Sequence, residues 1–141
     1  MSRLPPVRGR SSLPLIMTTS APAILLVEDD PLLRHAFRLL LEDAGYRVQE
    51  AGTAAQALEQ AAAQTPQLVL LDLGLPDLPG LEVARRLTSM PATAGIPIVA
   101  LTGRAGTRER DACLAAGCTH FLTKPIEPRE LLRQLPAMLT P

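Results

Sequence analysis

At 141 residues, with fourteen basic residues balancing fourteen acidic ones and nearly half of the chain apolar, the sequence has room for one folded domain and carries no net field to draw it to nucleic acid or an anionic membrane. Neither kind of partner is expected. Two cysteines, Cys113 and Cys118, fit reduced thiols in a cytoplasmic protein better than a disulfide framework, and they lack companions for a metal site.

Residues 1–21 are rich in Pro, Ser and Arg and hold no apolar stretch long enough for a signal-peptide core or a membrane span. They are expected to be a disordered tail, ahead of a domain over residues 22–141, with Met17 as an alternative translation start. Residues 24–27 form an apolar run that ends abruptly in Glu28, Asp29, Asp30 and Pro31. Pro31 suits a first helical position with Asp30 as its cap, and Leu33, Phe37, Leu40 and Leu41 then share one face until Gly45 stops the helix. Residues 46–51 alternate in polarity, as a sheet-edge strand does. Thr53 with Gln56 is a capping-box pattern for an alanine-rich helix to about residue 64, with Ala54, Leu58 and Ala61 inward.

Residues 68–80 read LVLLDLGLPDLPG, a buried-strand pattern that delivers Asp72 to a loop punctuated by Gly74, Pro76, Pro79 and Gly80. Asp77 in that loop is expected to be a solvated carboxylate. Leu81, Ala84 and Leu87 predict a helix to about residue 89. Residues 96–101 predict a strand ending in Thr102, residues 107–116 a helix stopped by Gly117, and residues 120–122 a short, partly apolar strand ending in Lys124 and Pro125. Pro128 opens a last helix that carries Leu131, Leu132 and Leu135, with Pro136 in its last turn.

Five strands alternating with five helices predict an α/β fold, a parallel sheet covered on both faces. The first, third and fourth strands are nearly all apolar and belong inside; the second and fifth alternate and belong at the edges. The doubly wound, flavodoxin-like order 2-1-3-4-5 of a (βα)5 fold satisfies this, and ligands bind such sheets outside the carboxyl ends of the strands. Glu28, Asp29, Asp72, Thr102 and Lys124 then converge on one rim. Three crowded carboxylates repel one another unless a cation joins them, and Mg2+ prefers such hard oxygen ligands. A lysine and a threonine hydroxyl suit the oxygens of a phosphoryl group. The set reads as a phosphoryl site with a carboxylate nucleophile.

These residues resemble the receiver domain of two-component response regulators, over roughly residues 23–139. The matching motifs are the acidic pair in LLVEDDP, the aspartate in LVLLDLGLPDLPG with Pro76 and Gly80 behind it, the threonine in IVALTG and the lysine in FLTKPI. The resemblance implies a phosphorelay protein in which Asp72 accepts a phosphoryl group from a phosphohistidine on a histidine kinase or histidine phosphotransfer protein. By the same likeness Glu28, Asp29, Asp72 and the Gly74 backbone carbonyl hold Mg2+. Lys124 pairs with Asp72 and then with its phosphate, and Thr102 turns toward the phosphate. Phe121 is the switch aromatic that changes affinity for a downstream protein.

Glu28 stands where the family more often has the shorter aspartate. Gly74 and Arg104 occupy positions that in the family influence phosphate lifetime; a glycine cannot orient attacking water and an arginine can cover the phosphate, so a long-lived phospho-form is expected. The chain is expected to be a phosphoacceptor with slow autodephosphorylation rather than an enzyme, with no output domain expected after the fifth helix. The segment CLAAGCTHFLTKPIEPREL is also similar to receivers attached to hybrid histidine kinases. Leu32 and Leu39 fall off the core stripe of the first helix and are a candidate docking patch for the phosphodonor. The alternative is a phosphorylation-independent interaction module of the same fold, which a broken site would favour. A small-molecule phosphohydrolase commonly carries a second acid where this chain has Gly74, and no glycine-rich loop for a nucleotide follows the first strand.

Overall fold

The computed structural model describes residues 21–104 and 106–139. In chain order the elements are β1 (Ala23–Val27), α1 (Pro31–Asp43), β2 (Arg47–Ala51), α2 (Ala54–Ala63), β3 (Leu68–Asp72), α3 (Gly80–Ser89), β4 (Ile98–Thr102), α4 (Thr107–Ala116), β5 (His120–Thr123) and α5 (Pro128–Leu139). The strands form one parallel sheet of order β2-β1-β3-β4-β5. β1, β3 and β4 are buried along their whole length, whereas β2 and β5 are mostly half-buried, as their composition predicts for edges.

Because side chains alternate across a strand, each central strand serves two cores. Leu25, Val27, Val69 and Leu71 pack with α2, α3 and α4, while Ile24, Leu26, Leu68 and Leu70 pack with α1 and α5. Each such leucine or valine, fully withdrawn from water, contributes roughly 1.5–3 kcal/mol. The register places Val27 beside Leu71, Asp72 beside Leu101 and Thr102 beside Thr123, so the strands run out of partners at one common rim.

Local chemistry explains the boundaries that differ from expectation. Tyr46, expected in the second strand, donates its N–H to the Leu41 carbonyl, while Gly45 at φ +100° donates to Glu42. This Schellman closure ends α1 and takes Tyr46 out of the ladder. β4 starts at Ile98 because Ile96 is held in a turn by the Thr93 carbonyl, and Pro97 has no N–H to give. α2 buries Ala54, Ala57 and Ala61, with Leu58 only partly covered. The expected tail lies outside the described residues up to position 20; at its end the Ala21 carbonyl accepts from Arg47 Nε. Among the described residues no helix is long and apolar enough to cross a membrane.

Candidate functional site

β1 ends by releasing Glu28 and Asp29, and Asp30 is the residue that caps α1, accepting from the Leu32 and Leu33 N–H groups. That division leaves Glu28, buried, and Asp29, exposed, to face the end of β3. Carboxylate oxygens of Glu28, Asp29 and Asp72 lie within 4.8 Å of one another. Asp72 is itself buried, and its Oδ1 accepts from the Gly74 N–H at 3.0 Å. Lys124 arrives from the end of β5 with its Nζ 3.0 Å from Asp72 Oδ1 and 3.6 Å from Glu28 Oε1. Thr102, buried at the end of β4, accepts from the Arg104 N–H on its Oγ1, and its carbonyl accepts from the Lys124 N–H at 2.7 Å.

One ammonium against three carboxylates leaves the rim short of positive charge. Burial pushes the Glu28 carboxyl up to about 7; the Asp30 N–H, which donates to its Oε2, pulls the other way, and the Asp72 charge adds to the rise. Burial works against the Lys124 charge, but the hydrogen bond to Asp72 and the field of both carboxylates outweigh it and hold the ammonium above its usual value. Hard oxygen donors of net negative charge, two of them withdrawn from water, match what Mg2+ requires of a site that also keeps water ligands. The residues present therefore fit the ion.

Beside Asp72 opens a cleft of about 790 Å³ between the loops after β3 and β4, lined by Gly74, Pro79, Thr102, Arg104 and Arg108 among others. Arg104 thus stands at the mouth of the site. Phe121 is half-buried on β5, with the Arg110 guanidinium 5.7 Å from its ring centroid, a cation–π contact that joins α4 to the strand. Leu32 and Leu39 are both exposed on α1, Leu32 the more so.

The loop after β3 is held more tightly than its composition suggests. A Cβ on Gly80 would lie 2.6 Å from Leu73 Cα and 2.9 Å from the Asp72 carbonyl, so only glycine lets α3 start this close to the phosphoacceptor candidate. Asp77, expected to be solvated, instead accepts from the Ala54 and Ala55 N–H groups and ties the loop to the start of α2. Those hydrogen bonds hold its carboxyl below the usual range. The expected capping box is divided accordingly: Thr53 Oγ1 accepts from Gln56, while the Gln56 side chain reaches back to the Gly52 N–H. Cys118 and Cys113 are the buried apolar contact of the closure that ends α4, where the Cys118 N–H reaches the Cys113 carbonyl. Burial pushes the Cys118 thiol up to about 12, away from thiolate chemistry.

A doubly wound sheet that brings three acids, a threonine and a lysine to its carboxyl rim belongs to the class of phosphoacceptor signalling domains. Residues 24–136 match the response regulator receiver domain. The chain is 39% identical over 116 residues to the phosphate regulon transcriptional regulatory protein PhoB of Pseudomonas aeruginosa, a match covering 82% of this chain and 51% of PhoB, so the chain spans about half the length of that relative. It is 36% identical to an uncharacterized 14.6 kDa protein of Leptolyngbya boryana, covering 84% of this chain and 90% of that one. Among solved structures it resembles the receiver domain of the sensor histidine kinase PA1611 of Pseudomonas aeruginosa, which has a magnesium ion coordinated in its active-site cleft. That match has a TM-score of 0.78 and 34% identity, covering 86% of this chain and all of the other. The chain belongs to the response regulator receiver domain family, and its acidic cluster fits aspartate phosphorylation beside a magnesium site.

Proposed function

We propose that Asp72 takes a phosphoryl group from a phosphohistidine on a histidine kinase or histidine phosphotransfer protein, and that the phosphorylated form changes its affinity for a downstream protein. The observation that carries this is the buried Asp72 carboxylate, paired to Lys124 at 3.0 Å and within 4.8 Å of Glu28 and Asp29 oxygens. A carboxylate oxygen attacks phosphorus, the N–P bond of the donor breaks, and the leaving imidazole takes a proton from water. Glu28, Asp29, Asp72 and the Gly74 carbonyl would hold Mg2+, which when bound would supply positive charge to the transferring oxygens. Lys124 follows the charge from the carboxylate to the phosphoryl oxygens. Thr102 Oγ1, which accepts from the Arg104 N–H in the unphosphorylated form, would turn to a phosphoryl oxygen, and Phe121 would follow it inward. The added phosphate carries nearly two charges, enough to bias an existing equilibrium of Thr102, Phe121 and α4.

On this reading the chain is a phosphoacceptor of the cytoplasm with slow loss of its own phosphate, Gly74 and Arg104 favouring a long-lived form. The test incubates the protein and an Asp72→Asn variant with magnesium and a small phosphodonor such as phosphoramidate, then measures added phosphate by mass. Labelling of the wild type that is acid-stable, base-labile and lost in the variant is expected. Equal labelling of both would refute the assignment of Asp72, and an unlabelled wild type would favour the phosphorylation-independent interaction module.

A further inference from the structure

Glu28 is held by its backbone as well as by its side chain, and one side chain makes half of that restraint. The Glu28 N–H donates to the Ala51 carbonyl at 3.0 Å, at the end of the edge strand β2. Its carbonyl accepts from Arg34 Nη1 at 2.8 Å, from the first turns of α1. Arg34 is in turn fixed by Nε, which donates to Glu50 Oε1 at 3.1 Å on β2. Glu50 is held from its other oxygen by Arg38 Nη1 at 2.7 Å. A guanidinium presents its donors in a rigid fork, so two acceptors on different elements fix its plane and with it the carbonyl it touches.

We propose that Arg34 is a positioning residue for cation binding: by clamping the Glu28 carbonyl to Glu50 it sets the direction in which Glu28 and Asp29 leave β1. The proposal rests on the reading that Glu28, Asp29 and Asp72 hold a divalent cation. Rotation of the peptide after Glu28 would swing Asp29 away from Asp72, and three mutually repelling carboxylates push in that direction. Arg34 touches no oxygen of the three and does not ligate. Gly52 belongs to the same device, since a Cβ there would stand 2.9 Å from Arg34 Nη1, in the space the fork occupies.

Charge and geometry make opposite predictions for Arg34. Removing a cation near an acidic site strengthens the binding of another cation, so a loss of affinity on neutralising Arg34 reports geometry. The experiment measures Mg2+ binding by titration calorimetry for the wild type, Arg34→Gln, Arg38→Gln and Gly52→Ala, with the metal-free melting temperature of each recorded first. Outer residues that orient ligands typically cost about tenfold or more in metal affinity when removed. Arg34→Gln is expected to bind Mg2+ about tenfold more weakly, with labelling at saturating Mg2+ within about twofold of wild type. Gly52→Ala, which keeps every charge and pushes on the end of the fork, is expected to show a smaller loss in the same direction. Arg38→Gln, which shares Glu50 but does not touch Glu28, is expected to keep wild-type affinity. Unchanged affinity in Arg34→Gln and Gly52→Ala, or an equal loss in Arg38→Gln, would overturn the proposal while leaving the cation site standing. A wild type that binds no Mg2+ would overturn the cation site, and the proposal with it.

Discussion

Glu28→Gln should make the metal-free protein more stable, and chiefly at high pH. Glu28 is buried, and its carboxyl titrates near 7 when folded against an ordinary value of 4.5. Below 4.5 both folded and unfolded chains keep the proton, and the stability associated with it is fully present. Between 4.5 and 7 the unfolded chain releases the proton while the native one retains it, so stability falls as pH rises. Above 7 the full cost of burying the charge applies, ~3 kcal/mol for a difference of this size. A glutamine has no charge to bury, can still accept from the Asp30 N–H, and presents an amide to the Asp72 carboxylate. In a chain of this length ~3 kcal/mol corresponds to a melting temperature higher by on the order of 10 °C. The assay is thermal denaturation of both proteins at pH 5 and pH 8 in a chelator, repeated at pH 8 with saturating Mg2+. The variant should gain chiefly at pH 8, and on the proposed ligation by the ionised Glu28 of the folded state Mg2+ should raise the wild type more than the variant. A gain of equal size at both pH values, or a variant less stable than wild type at pH 8, would refute the reasoning.

Lys124→Ala leaves two buried carboxylates without the ammonium at 3.0 and 3.6 Å; urea unfolding at pH 8 without metal should show a loss of about 2–3 kcal/mol, somewhat below that of a wholly buried pair because the lysine side chain is 29% exposed. A loss under about 0.5 kcal/mol would contradict the pairing. Gly80→Ala gains little helix propensity at a first helical position, whereas its Cβ would meet backbone atoms at 2.6 and 2.9 Å, so overpacking should win and cost about 2 kcal/mol in the same assay. A neutral or stabilised Gly80→Ala would show that the turn after Asp72 yields more easily than this contact implies.

The sheet order was legible because burial writes itself into composition: an apolar run in β1, β3 and β4 and alternation in β2 and β5 leave few other orders. The rim was legible because parallel strands all end on one side, so Glu28, Asp72, Thr102 and Lys124 needed only a strand before each to be brought together. Asp77 and Arg34 were not legible. Their partners are backbone groups of residues 23 and six positions away, on turns whose geometry no periodicity encodes, and an aspartate in a Pro/Gly loop or an arginine on a helix reads from sequence as a solvated charge. The closure that absorbs Tyr46 belongs to the same class: the left-handed Gly45 signals that α1 stops, not which residue beyond it is taken up.

The two kinds of feature depend on each other. At 4.8 Å and a dielectric typical of protein sites, a pair of like charges costs about 3 kcal/mol, and the rim holds three carboxylates against one ammonium. The Lys124 ammonium offsets part of this repulsion at Asp72 and Glu28, and without a further cation the rest is held by the backbone. The Glu28 N–H and carbonyl are bound to Ala51 and Arg34, the Leu73 N–H after Asp72 is bound to the Leu101 carbonyl, and Gly80 returns to the Leu73 carbonyl. Backbone restraint, invisible in the sequence pattern, is therefore what converts a visible acidic motif into a preorganised site, and it lets the binding of a cation be driven by repulsion the fold already holds.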